Sequence, residues 1–76
     1  MNLNVCPVKD FLDCYSYAKA MAFVNPILLR YVEGQYSQEH LEKWIDHAWC
    51  ETPGGQIVDL YSVMKLPDAK FKYRHK

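Results

Sequence analysis

Two apolar runs, Ile45-Asp46-His47-Ala48-Trp49-Cys50-Glu51 and Gln56-Ile57-Val58-Asp59-Leu60, flank the turn Thr52-Pro53-Gly54-Gly55. Runs of this kind separated by a proline-glycine cluster read as a β-hairpin. Register then decides which side chains share a face, because a slip of one residue turns every side chain over. A two-residue Pro-Gly turn of type II splays the strands, whereas a longer loop with glycine in the left-handed region suits them. An odd-numbered connection such as Pro53-Gly54-Gly55 sets Glu51 opposite Ile57, Trp49 opposite Asp59 and His47 opposite Tyr61. His47 and Asp59 then lie on one face as diagonal neighbours, about 7 to 8 Å apart at the backbone.

Upstream, Val8, Phe11, Leu12, Tyr15, Ala18, Met21 and Ala22 recur at spacings of three and four, the stripe of a helix with one buried face. Asp10 and Asp13 both qualify as its N-cap, and Asp13 would put Cys14 at the first helical position. Asn25-Pro26 ends the helix, since the residue before proline is pushed out of helical geometry. Ile27 to Glu33 reads as a strand stopped by Gly34, and Ser37 as the cap of a two-turn helix reaching Trp44. After the hairpin, Tyr61 to Leu66 reads as a further strand, Pro67 as a break and Ala69 to Arg74 as a last strand. A helix followed by an antiparallel sheet predicts an α+β domain, the helix packed on a small sheet.

The chain of 76 residues reads as one domain, 1–76, with residues 67–76 as a basic tail or edge strand. Half of its residues are hydrophobic, which supports a core, although a domain of this size buries only about 60% of its extended surface. Nine basic and nine acidic residues cancel, so no global field points to nucleic acid or to a membrane surface. The distribution is uneven: residues 1–60 carry four basic against eight acidic side chains, and 61–76 carry five basic against one acidic. A basic tail on an acidic body offers itself to an acidic partner or folds back on its own body. Phe71 and Tyr73, alternating with lysines, read first as a half-buried strand and second as a base-stacking surface.

Three cysteines, an odd number, with no export signal in Met-Asn-Leu-Asn-Val and no long apolar run, predict free thiols in a cytoplasmic protein that does not enter a membrane. Two readings of the polar residues stand side by side. Cys14, His47 and Asp59 are the parts of an activated thiol nucleophile: the imidazole takes the thiol proton and the carboxylate orients the ring. Alternatively, His47 and Asp59 are polar residues of a half-buried sheet face and Cys14 is a small buried hydrophobe.

The run Asp13-Cys14-Tyr15-Ser16-Tyr17-Ala18, then Tyr31-Val32-Glu33-Gly34, His47-Ala48-Trp49 and Gly55-Gln56-Ile57-Val58-Asp59 resembles the core of the transglutaminase-like branch of papain-fold cysteine proteins, including small phage and bacterial members. The resemblance covers about residues 13 to 60. It implies Cys14 as nucleophile, His47 as base and Asp59 as orienter of a hydrolase or acyltransferase that works through a thioester on a protein or peptide substrate, with no cofactor. The alternative is the same scaffold without catalysis, a protein-binding module that inhibits a host macromolecule.

Other motifs are set aside. Gly54-Gly55-Gln56 spells the release-factor tripeptide but here closes a hairpin. His47 and Cys50, three apart on a strand, point to opposite faces, and Cys6, His40 and His75 complete no ligand spacing, so no metal is expected. Trp44 and Trp49 are expected in the core.

Overall fold

The computed structural model describes residues 2–76. Asp13 decides where the first α-helix begins: its carboxylate accepts from the Ser16 N–H at 2.7 Å, and α1 spans Cys14–Val24. Pro7 instead introduces a short 3-10 turn, Val8–Asp10. Leu12 lies in the bend between the two and is 97% exposed, which removes it from the buried stripe. Asn25 closes α1 by donating its side-chain amide to the Met21 carbonyl at 2.9 Å and to the Asn4 carbonyl at 2.8 Å.

Four strands follow: β1 (Arg30–Gln38), β2 (Ile45–Glu51), β3 (Ile57–Val58) and β4 (Phe71–His75), with a second helix, α2 (Leu60–Lys65), between the last two. They form one antiparallel sheet in the order β3-β2-β1-β4. The protein is therefore α+β, a helix packed on a curled antiparallel sheet. No helix among the described residues is long and apolar enough to cross a membrane.

Three expectations about local structure fail, two for a tertiary reason and one for a local cap. Gly34 does not stop β1. It sits in mid-strand, where an added Cβ would run into the Arg74 carbonyl and the Trp49 indole, so glycine is what lets the tryptophan lie against the strand. Ser37 does not cap a helix. It pairs with Lys72 of β4, its hydroxyl donates to the Leu41 carbonyl at 2.9 Å, and the chain turns at Glu39-His40 with His40 at φ 86°. Tyr61 to Leu66 is not a strand, because Asp59 caps α2 by accepting from the Ser62 N–H at 3.4 Å.

The hairpin register has the expected parity, with Glu51 opposite Ile57 and Cys50 opposite Val58. The loop is closed by Thr52 N–H to Gln56 C=O at 2.9 Å, with Gly55 at φ 85°. Pairing stops at Val58, so Tyr61 lies in α2 and not opposite His47. On one face of β2, Ala48 and Cys50 pack with Tyr17, Ala18, Met21 and Leu29 as the apolar core. The other face carries His47, Trp49 and Glu51, all equally buried.

Candidate functional site

On that second face, His47 Nε2 lies 2.9 Å from Asp59 Oδ2, and each side chain is only 3% exposed. Asp59 reaches this position because β3 ends one residue earlier and the chain turns into α2. Tyr73 of β4 donates its hydroxyl to the same Asp59 oxygen at 2.8 Å. Burial pushes the Asp59 carboxyl up, but the imidazole, the Tyr73 hydroxyl and Ser62 outweigh it and hold the group below its ordinary value. An ionised carboxylate only accepts, so in neutral His47 the proton sits on Nε2 and the lone pair on Nδ1. The ring is fixed by Tyr36, stacked on it at 3.9 Å between centroids and 13° between planes, and by Trp49 at 5.9 Å.

Ser62 Oγ also approaches His47 Nε2, at 3.2 Å. This is not a serine triad. A base must take a proton on one ring nitrogen while the carboxylate holds the other, and here serine and aspartate meet the same nitrogen.

Cys14 is the first residue of α1 and half-buried. The Thr52 ladder bond fixes the amides of the even-numbered residues of β2 toward the β3 side, and β3 extends no further than Val58 opposite Cys50. The Ala48 amide beyond that point faces the Cys14 sulfur. Burial pushes the Cys14 thiol up, the Ala48 amide opposes it, and the charges of Asp13 and Asp59 push it further up. The sulfur borders a cavity of about 10 Å³ that is also lined by Trp49, Cys50, Asp59, Leu60 and Tyr61. That volume is about one water molecule.

The structure thus joins two of the three candidate residues, His47 and Asp59, and sets Cys14 at the rim of a cavity that Asp59 lines and His47 does not, beside the residue that follows His47. Among the described residues no hydrogen bond links the Cys14 sulfur to His47, whose Nδ1 likewise makes none. Ser62, Tyr73 and Tyr36 are site residues that sequence reasoning missed. Ser62 had a legible signal, since Asp59-x-x-Ser62 repeats the spacing of the Asp13-x-x-Ser16 cap.

A second buried carboxylate lies on the same face. Glu51 accepts from Trp49 Nε1 at 3.0 Å, Arg30 at 3.0 Å and His75 Nε2 at 2.6 Å. Among the described residues no three His, Cys, Asp or Glu side chains gather as metal ligands would. Trp44, expected in the core, is 36% exposed and carries the Arg74 guanidinium 4.1 Å from its ring centroid. Comparisons with protein-family models, with curated proteins and with solved structures find no match to this chain.

Proposed function

We propose that the protein is a small cysteine-dependent acyl-transfer domain of transglutaminase-like or papain-like type, with Cys14 as nucleophile, His47 as base and Asp59 as orienter. The observation that carries this reading is the buried His47–Asp59 contact at 2.9 Å through Nε2, because it leaves the Nδ1 lone pair for a thiol. The raised Cys14 thiol is protonated at rest, so activation comes from His47 at the moment of attack rather than from a standing ion pair. Cys14 Sγ gives its proton to Nδ1 and bonds to the substrate carbonyl carbon. The amide C–N bond breaks, the leaving amine takes the proton from His47, and the thioester is released by water or by an acceptor amine. A side-chain shift at Leu60 or Tyr61 would have to widen the cavity for a protein or peptide substrate.

The water-sized cavity favours a second reading, the same scaffold serving as a protein-binding module without catalysis. Alkylation by iodoacetamide, mapped by mass spectrometry against pH, separates the two. The catalytic reading expects His47→Ala, with the fold checked by circular dichroism, to slow the labelling of Cys14 by about tenfold or more while leaving Cys6 and Cys50 unchanged. Labelling of Cys14 unaffected by His47→Ala would leave the scaffold reading.

A further inference from the structure

We propose that the outer edge of β4 is a docking edge for an extended acidic peptide, which joins the sheet as a fifth strand. β4 stands last in the strand order, and among the described residues β1 is its one neighbour. The Lys70 carbonyl accepts from the Glu39 N–H at 2.8 Å and the Lys76 N–H donates to the Glu33 carbonyl at 3.3 Å. The even-numbered residues of β4 therefore turn their backbone groups toward β1. In an antiparallel ladder the N–H and C=O of one residue point the same way. Those of Phe71, Tyr73 and His75 accordingly point outward, and among the described residues they have no partner. Alternating donors and acceptors of this kind are completed by another strand.

Charge selects the strand. Lys72 and Arg74 stand exposed on the face of β4 away from Tyr73, Arg74 with its guanidinium turned across β1 to Gln35 Oε1 and the Trp44 ring, and Lys70 and Lys76, the latter 3.8 Å from Glu33, continue the alternation on either side. Antiparallel pairing of two copies of this edge about Tyr73 would set Lys72 against Arg74 and Lys70 against Lys76, and like charges directly opposite are destabilising. A strand with aspartate or glutamate at those positions makes opposite-charge pairs instead. Nucleic acid fits the edge less well, because phosphate oxygens can accept from the outward N–H groups but offer nothing to the outward carbonyls. The aromatic face of β4 is committed inward, with Tyr73 bonded to Asp59 and His75 to Glu51, so an incoming peptide meets backbone and cations first.

The probe is a capped peptide of about seven alternating valine and glutamate residues, compared with its valine–lysine counterpart and with an oligodeoxythymidylate. Amide exchange of the whole protein is followed by NMR at low salt. The valine–glutamate peptide is expected to slow exchange at Phe71, Tyr73 and His75. Its binding is expected to weaken about tenfold in the double variant Lys72→Glu, Arg74→Glu, which should then take the lysine peptide. Four results would each overturn the proposal: no added protection at the three amides, equal binding of both peptides by the unaltered protein, protection that grows with protein concentration alone, or binding of the oligonucleotide in place of the peptide.

Discussion

The two faces of β2 bury their side chains to the same extent by different chemistry. On one, Ala48 and Cys50 are 1% and 2% exposed and lie against α1 in an apolar cluster. On the other, His47, Trp49 and Glu51 are 2%, 1% and 2% exposed with no long helix to cover them. Tyr36, Tyr73 and His75 close over them as the sheet curls, and His47 Nε2, Trp49 Nε1 and the carboxylates of Asp59 and Glu51 all find partners. Burial alone therefore does not distinguish a core from a site. The apolar face gains its stability from area, while the polar face depends on complete pairing of groups that are expensive to leave unmet.

The sharpest way to break this comparison is to remove one side chain from each face. Trp49→Ala takes away the indole that touches His47, Tyr73 and His75 and donates to Glu51, and is expected to cost about 3–5 kcal/mol by urea unfolding, against about 1 kcal/mol for Cys50→Ala. Equal losses would mean that the two faces are held by the same means. Glu51→Gln comes next. It keeps the shape but can no longer accept from all of Trp49, Arg30 and His75, so about 1–3 kcal/mol should be lost. A neutral result would show that the carboxylate is dispensable.

The smallest effect is in the pH profile. The folded Asp59 carboxyl lies below its ordinary value of 3.8, so its contribution is complete above that pH and is lost as pH falls through the lower folded value. Stability measured below pH 4 should therefore fall less steeply in Asp59→Asn than in the unaltered protein, and parallel slopes would place the acid sensitivity elsewhere.

The legible parts of this fold were the local ones. Pro-Gly-Gly and the flanking runs carried the hairpin and its parity, and with it the meeting of His47 and Asp59. Asp10 and Asp13 stood open as caps of the first helix, and the Ser16 N–H bond to Asp13 decides between them. Two of the elements that escaped were set by distant contacts, and one by a cap three residues away. Gly34 looks like a breaker until Trp49 is laid over it, and Ser37 looks like a cap until β4 arrives to pair with it. Tyr61-Ser62-Val63 has the residue types of a strand, and only the Asp59 side chain bonding to the Ser62 N–H turns it into a helix. The partners of Asp59 and Glu51 on β4 were illegible as well, since β4 lies two strands away from β2.

The glycine at position 34 makes neighbours of strands that do not touch. With no side chain standing between them, Tyr73 reaches across β1 to Asp59 and His75 reaches across it to Glu51. Tyr73 thus belongs to two places at once: its backbone faces outward at the sheet edge, and its hydroxyl ends on the carboxylate that meets His47 Nε2. A peptide that displaced β4 would reach Asp59 through the Tyr73 hydroxyl, and because any such coupling is reciprocal, the protonation state of Asp59 would in turn weight what the edge accepts.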